Sequence, residues 1–454
     1  MTGMSDRGWH WYLTRRRLRL LPVWRIPLVM LVLALFLSWL LPFIDRHLVL
    51  GDGDVGGVLF VEIDDSAMSN LLSAIAGGMI TLTGLVFTAL TLAMQFGAAQ
   101  LSVRIVPILR QDPVMRWSIG LFLATFVYTL LVSVRLAVRE EDYRPLLSVL
   151  CAIGLSVCCA VLFLALVTRV TGVLNSGYLL RSLAAQGRQA VLRNFPDVAP
   201  EASVGPGGPE APEASSPATR TELPHTTLRL GTPPYSGQVL LAFDSDRLAS
   251  HARSWGVELE LVPVTGDFIA LEAPLFHVYG PADKVDRDTL VRCLLFGETP
   301  SAATDPAGAL RALVDIALKA LSPAINDPGR AVQALDHIED LLVLLAPRLA
   351  ATPPPTTGAF TCRTRSWTDY VCIGTDEIRH FGTTSLQVQR RLRALYATVA
   401  LVCTPAQTPP LAARTATMDA DLPTHWPQPL DRELARQADP QGLGTEQGSG
   451  VQGV

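Results

Sequence analysis

Four long apolar runs, all within the first 170 residues, constrain this 454-residue chain more than any other feature. The hydrocarbon core of a bilayer is about 30 Å thick, so a spanning helix needs roughly 20 apolar residues. Each run has about this length, and the second and fourth contain no charged residue. The runs therefore predict four transmembrane helices, at residues 26–43, 74–96, 117–138 and 146–168.

The arginines outside these runs indicate the orientation of the chain, because short cytoplasmic loops carry an excess of positive residues. The N-terminus, the loop between the second and third runs, and the stretch after the fourth run have this excess; their arginines include Arg15, Arg16, Arg17, Arg19, Arg25, Arg104, Arg110, Arg116, Arg169, Arg181, Arg188 and Arg193. The other two loops lean acidic. We therefore predict a multi-pass protein of the inner (plasma) membrane with both termini cytoplasmic, beginning with a basic cytoplasmic segment at 1–22.

The second run carries a stripe of small and polar residues that recur at alternating steps of four and three, namely Gly77, Thr81, Gly84, Thr88, Thr91 and Gln95. This spacing keeps them on one face of a helix. One interpretation is a helix–helix seam, in which small residues permit close approach and hydroxyls bond across the contact. The other is the wall of a polar pathway formed by several subunits. None of the six is ionisable, which favours the seam, since intramembrane polar residues mark pathways best when they ionise.

Beyond the fourth run the composition becomes that of a soluble region with Pro-rich interruptions. Residues 170–195 predict a helical exit from the membrane, and 196–234 predict a Pro-rich linker whose composition cannot bury a core. Residues 235–280 alternate with a period of two and predict a small β module, whereas 281–403 predict a helical module. Pro, Gln, Gly and Asp dominate 404–454, which predicts a disordered tail. The predicted fold class is four transmembrane helices plus a cytosolic α+β region.

The β module has four predicted strand segments, at 238–243, 257–261, 266–269 and 273–278. The Gly-Asp-Phe-Ile turn and the Pro-Leu strand after it resemble the small barrel-sandwich fold of lipoyl and biotinyl domains. No lysine lies in this stretch. The resemblance therefore implies a structural module and no lysine-borne carrier chemistry.

The helical module contains two predicted helices separated by a turn. Asp305 is placed to cap the first, at 305–321, with a proline in its first helical turn. Ser-Pro-Ala-Ile-Asn-Asp-Pro then forms the turn, whose key residues are Ser322, Pro323, Asn326, Asp327 and Pro328. Asp327 is expected to cap a second helix that runs to about Leu345.

A last helix is predicted from Asp376 to about Cys403. Its arginines Arg390, Arg391 and Arg393 are expected on a solvated or headgroup-facing surface in preference to an anion site, because a run of charges is usually exposed.

Several of these motifs together resemble one family. They are the stretch at 81–104, Ser-Gly at 236–237, Gly-Asp-Phe-Ile at 266–269, Ala-Leu-Ser-Pro-Ala-Ile-Asn-Asp-Pro at 320–328 and Glu-Ile-Arg-His-Phe-Gly at 377–382. The set is similar to the domain-of-unknown-function 2254 family of predicted bacterial membrane proteins, over about residues 15–403. The resemblance implies a four-span membrane protein with a cytosolic domain, and no established activity, catalytic residue or ligand. The long Pro-rich linker departs from the family pattern.

The sequence contains none of the common motifs for metalloproteases, serine hydrolases, phosphate-binding loops or dinucleotide binding. The one local cluster of potential ligands is Asp336, His337, Glu339 and Asp340, which is interpreted as a charged, solvated helix face. The seven cysteines have no metal-ligand spacing and are expected to be free thiols. We therefore predict no enzyme, no cofactor and no metal; the net charge of −4 also argues against a nucleic-acid partner.

Two functional classes remain open. The first is an oligomeric channel or transport-related protein that uses the stripe, with the cytosolic domain as a gate or assembly platform. The second is a non-transporting scaffold or envelope sensor, whose cytosolic domain binds a protein partner. Both expect a lipid bilayer around the four runs, and the first expects a homo-oligomer.

Overall fold

The computed structural model describes residues 25–49, 65–100, 113–138, 146–174, 176–196, 226–229, 237–300, 302–352 and 356–443. The chain divides into two compact units. Of the described residues, those from 25 to 178 form the first unit and those from 179 to 443 form the second. The basic segment at 1–22, most of the linker and the end of the tail lie outside the described residues.

The first unit consists of the four predicted long helices. They are α1 (Arg25–Val49), α2 (Asp65–Gln100), α3 (Pro113–Ala137) and α4 (Leu146–Leu174). All four are long and apolar enough to cross a membrane. Helix α3 is the most buried and packs against the other three. A Cβ at its Gly120 would lie 2.7 Å from Met30 Sδ, so glycine permits the close crossing of α1 and α3.

A buried carboxylate joins two of these helices. Asp45, near the end of α1, is 2% exposed. Its two oxygens accept hydrogen bonds from the Leu147 and Ser148 amides at 3.0 and 3.2 Å, and from the Ser148 hydroxyl at 2.8 Å. The first amides of a helix have no partner within the helix. Asp45 therefore caps α4 from another helix, with its negative charge at the positive end of the helix dipole.

Helix α5 (Ser176–Asn194) accounts for the predicted helical exit. The second unit then contains eight strands: β1 (Thr226–Arg229), β2 (Gln238–Phe243), β3 (Glu258–Leu261), β4 (Phe268–Ile269), β5 (Pro274–Tyr279), β6 (Leu294–Gly297), β7 (Thr356–Thr357) and β8 (Phe360–Cys362). They form a sheet of order β1-β5-β3-β8-β7 and a smaller one of order β4-β2-β6. Every pairing is antiparallel except β3 with β8, which is parallel.

The predicted strand segments are present, but the described strands close no barrel, and the barrel-sandwich resemblance is not confirmed. Helix α6 (Ser245–Trp255) separates β2 from β3 and buries Leu248, Ala249 and Ala252 in the sheet core. Strand β1 comes from the segment predicted as linker, and β6 to β8 come from the segment predicted as helical. These strands are short and find their partners far along the chain, so local periodicity did not reveal them.

The rest of the second unit is helical: α7 (Arg287–Arg292), α8 (Pro306–Leu321), α9 (Pro328–Ala351), α10 (Trp367–Phe381), α11 (Leu386–Ala400), α12 (Pro409–His425) and α13 (Pro429–Arg436). Asp305 caps α8 and Asp327 caps α9, each followed by a proline at the start of its helix, as predicted. Helix α8 packs against α9 and α10, and α9 packs against α11.

Two predictions for the last part of the chain are wrong. The helix expected over 376–403 is two helices, because α10 ends at Phe381 and Ser385 caps α11. The tail expected to be disordered from 404 instead forms α12 and α13, which are described as far as residue 443. The tail is held to the core by specific contacts: Trp367 Nε1 donates to the Gln407 carbonyl at 2.8 Å, and Arg414 pairs with Asp376. The composition of the tail, rich in Pro, Gln, Gly and Asp, gave no local sign of this docking.

Candidate functional site

The stripe on α2 faces away from the other three helices. All six of its residues are exposed, whereas the buried residues Met79, Val86, Leu90 and Ala93 lie on the opposite side of the helix. At about 100° per residue, these buried positions are centred roughly 180° from the stripe. Within the described bundle the stripe therefore forms no seam, and any seam or pathway must involve a surface outside this unit.

The hydroxyls of the stripe have partners on their own helix. Thr81 and Thr88 donate to the carbonyls of Gly77 and Gly84, at 2.8 and 2.9 Å, and Thr91 donates to the Phe87 carbonyl at 2.8 Å. Leu85 and Phe87 flank the stripe and are exposed. The face is thus a narrow track of small and internally bonded groups between large apolar side chains. Such a track can meet another helix closely or line a narrow space.

The Ser322–Pro328 turn joins α8 to α9. The Ser322 carbonyl accepts from the amides of Ile325 and Asn326 at 3.0 and 2.9 Å, and the Asp327 amide donates to the Ala320 carbonyl at 2.8 Å. Asn326 has a positive φ of 47°, a conformation that asparagine tolerates better than most residues. Hydrogen bonding and helix capping account for this geometry, so the turn orients two helices and shows no reactive group.

The three arginines of α11 are buried, and the prediction of a solvated surface is wrong. Arg390, Arg391 and Arg393 are 6%, 3% and 7% exposed. Arg391 pairs with Asp336 at 2.8 Å and with Glu339 at 2.7 Å, both on α9. The acidic cluster on α9 is therefore not a free solvated face, because two of its carboxylates neutralise an arginine of the neighbouring helix.

The remaining members of that cluster, His337 and Asp340, lie near arginines of α5. Asp340 pairs with Arg188, and His337 is half-buried between acidic and basic groups. Burial lowers the pKa of His337, as do Arg181 and Arg188, while Asp336 and Asp340 oppose the shift. In the part of the chain that the structure describes, no three His, Cys, Asp or Glu side chains come together as a metal site.

A second buried charged group lies where the sheets meet α8. Asp305 is 6% exposed; its Oδ1 accepts from the Ala307 amide at 3.0 Å, but its Oδ2 has no hydrogen-bond partner. Gly266 has a positive φ of 94°, and a Cβ at this position would lie 3.1 Å from both Asp305 Oδ2 and Arg365 Nη2. Burial raises the pKa of Asp305, and the Ala307 amide and Arg365 oppose the shift. Burial and Asp305 in turn raise the pKa of Tyr370.

Comparison with known proteins identifies the family of the chain. The family described as predicted membrane protein (DUF2254) matches residues 22–398. The chain belongs to this family. Among curated proteins, this DUF2254 chain is 26% identical over 386 residues to uncharacterized proteins of two strains of Mycobacterium tuberculosis and of Mycobacterium bovis. The alignments cover 80% of the chain and 72% of each relative. No solved structure matches.

The matched region of the DUF2254 chain contains the stripe, the Ser322–Pro328 turn, Asp305 and the arginines of α11, and it ends before α12. Sequence reasoning identified Asp305 as a helix cap, yet missed its burial and its proximity to Gly266. The available signal was the glycine of the Gly-Asp-Phe-Ile motif, since a conformation with positive φ favours glycine. Nothing local in the sequence indicated that Arg365, about 100 residues later, lies beside this turn.

Proposed function

We propose that this DUF2254 protein is an oligomeric channel or transport-related protein of the inner membrane. In this proposal the α2 stripes of several copies face a shared polar pathway. Both termini are cytoplasmic, and the second unit serves as the cytosolic gate or assembly platform. The observation that carries the proposal is the exposure of all six stripe residues on the side of α2 opposite its buried face.

The physical argument concerns what else could cover such a face. The apolar positions of α2 are divided between the bundle interior and the flanks of the stripe, where Leu85 and Phe87 are 61% and 67% exposed. These flanks suit lipid, whereas the glycines and threonines of the stripe offer lipid little contact area. Small residues let helix backbones approach closely and are enriched at contacts between membrane helices. A partner surface or an aqueous space is therefore a better neighbour for the stripe than acyl chains.

The scaffold or sensor alternative is favoured by one specific observation. The threonine hydroxyls already bond to carbonyls of their own helix, so they do not require water. A dry seam between two copies would satisfy the stripe equally well and would conduct nothing. The two functions thus share an oligomer and differ in whether water reaches the stripe.

Cysteine substitution distinguishes these cases in the full chain. Native thiols first need replacement, because the exposed Cys158 of α4 would add background. Cysteines are then placed singly at Thr81, Thr88 and Thr91, with lipid-facing controls at Leu85 and Phe87 and a buried control at Val86. A membrane-impermeant, charged thiol reagent and an oxidant are applied to sealed vesicles, and labelling and cross-linking between copies are measured.

The pathway predicts labelling at the stripe positions and none at the three control positions. Disulfide cross-links between copies at stripe positions, without labelling, would favour the dry seam and the scaffold or sensor function. Neither labelling nor cross-linking at the stripe, in a correctly inserted protein, would contradict both versions of the oligomer.

A further inference from the structure

Helix α13 is held to the second unit mainly by polar contacts with α11. Its one buried residue is Ala435, and Leu430 remains 63% exposed. Arg390 Nε donates to the Leu434 carbonyl at 2.7 Å, and Arg393 Nε donates to the Ala435 carbonyl at 2.9 Å. These carbonyls belong to the last turn of α13, where no amide of the helix donates to them. Two guanidinium groups therefore hold a helix C-terminus by its backbone.

The contact leaves one guanidinium donor unused. Arg393 Nη1 pairs with Asp419 of α12 at 2.8 Å, but Arg393 Nη2 has no hydrogen-bond partner although the side chain is 7% exposed. A buried donor without an acceptor is costly. The two neutral carbonyl oxygens thus leave a guanidinium donor without an acceptor. A group with more acceptor oxygens would accept hydrogen bonds from more of the donors of Arg390 and Arg393.

The hydrogen bonding of the two arginines changes if α13 moves away. The Asp439 amide donates to the Arg390 carbonyl at 3.3 Å, and the Asp439 side chain is buried beside this contact. Release of α13 would remove both carbonyl acceptors and leave Arg393 with its pair to Asp419. The family match includes both arginines and ends at residue 398, before the segment that covers them. The two arginines therefore lie within the family region, whereas α13, which packs over them, lies after it.

We propose that Arg390 and Arg393 form a binding site for a phosphate group, which α13 occupies with two carbonyl oxygens in place of phosphate oxygens. The arginine fork matches phosphate geometry, and hydrogen bonds to a charged oxygen are about twice as strong as those to a neutral one. A phosphate group displaces α13 because it adds charge and supplies the acceptor that Arg393 Nη2 lacks. The phosphate belongs either to a soluble compound or to an anionic lipid headgroup.

Hydrogen exchange of the full-length protein in lipid nanodiscs tests the proposal. In phosphatidylcholine nanodiscs, inorganic phosphate is added while sodium chloride keeps the ionic strength constant. In a second arm, phosphatidylglycerol replaces part of the phosphatidylcholine and no phosphate is added. We expect the amides of α13 to exchange roughly fivefold faster in at least one arm, while those of α11 do not change. A response to inorganic phosphate identifies a soluble ligand, and a response to phosphatidylglycerol alone identifies a headgroup.

Variants establish that the arginine pair is responsible. Arg390→Lys with Arg393→Lys keeps the charge but removes the forks, and we expect it to abolish the response. Arg247→Gln, which removes an exposed arginine of α6, is expected to respond like the unaltered protein. Ala435→Leu overpacks the buried contact of α13, and by releasing the competitor it is expected to tighten phosphate binding roughly tenfold.

Two results would overturn the proposal. One is unchanged exchange of α13 in both arms, since this measurement uses the unaltered protein and does not depend on any variant folding. The other is a response of equal size in the double lysine variant, which would place the effect of phosphate elsewhere.

Discussion

Helices α2 and α11 both carry polar side chains, but they satisfy them in different ways. The threonines of α2 donate to carbonyls four residues earlier on the same helix. The arginines of α11 instead bond to groups 26 to 55 residues away, on α9, α12 and α13. Polar groups that are satisfied locally leave a helix face free to meet another surface. Polar groups that are satisfied at long range fix the tertiary fold and lose their exposure.

The largest expected effect tests the long-range case. Arg391→Leu removes both ion pairs of a buried guanidinium and leaves Asp336 and Glu339 without their partner. We expect a loss of about 2–3 kcal/mol in the free energy of unfolding, because charged hydrogen bonds of a buried guanidinium are lost while the half-exposed Asp336 regains water. Denaturant titration in detergent, followed by circular dichroism, provides the measurement. Arg247→Leu serves as the exposed control, and an equal, small loss in both variants would mean that α11 does not organise the helical core.

A smaller effect is expected from the long-range carboxylate contact of Asp45 in the first unit. Asp45→Ala leaves the Leu147 and Ser148 amides at the start of α4 without their acceptor. Loss of a helix cap with favourable dipole geometry costs about 1–2 kcal/mol. Asp45→Asn retains an oxygen acceptor, so thermal unfolding of the two variants in the same detergent is expected to rank alanine below asparagine. The reverse order would show that an oxygen acceptor at this position does not stabilise the start of α4.

Asp305 provides a test through pH. Its pKa is raised in the folded protein from the ordinary value of 3.8, so the folded state binds its proton more tightly than the unfolded state. The contribution of Asp305 to stability therefore improves as pH falls from neutral through the raised pKa towards about 4. Asp305→Asn keeps the cap and replaces the unpartnered oxygen with a neutral amide. We expect about 1 kcal/mol of added stability at pH 7.5 and a flatter dependence on pH. An Asn variant that keeps the full pH dependence would assign that dependence to another group.

The smallest effect on stability is expected at the stripe. Thr88→Val keeps the shape of the side chain and removes a hydroxyl that bonds only to its own helix. We expect a change within about 0.5 kcal/mol in the unfolding free energy of the detergent-solubilised monomer. Val86→Thr, two residues earlier on the buried side, is the matched control and is expected to cost more because it buries a hydroxyl. A large loss in Thr88→Val would show that the stripe has a partner inside the bundle.

The parts of the fold that could be predicted are those specified locally. The four long helices follow from apolar length, and the caps Asp305 and Asp327 follow from acid–proline pairs at helix starts. The burial of Arg390, Arg391 and Arg393 could not be predicted, because their partners lie on helices whose approach is decided by tertiary packing. Strand β8 was missed for the same reason, since its partner β3 lies about 100 residues earlier. For the candidate site, the spacing predicted that the stripe shares one face, but not that this face is opposite the bundle.

Electrical recording from the purified protein in planar bilayers, under voltage and membrane tension, tests the proposed function most directly. The channel proposal predicts discrete conductance that Thr88→Leu and Gln95→Leu reduce and that Leu85→Ile, on the lipid-facing flank, leaves unchanged. Silence under both stimuli, with a folded oligomer verified in the same preparation, would contradict the pathway and leave the stripe as a contact between the subunits of a scaffold or sensor.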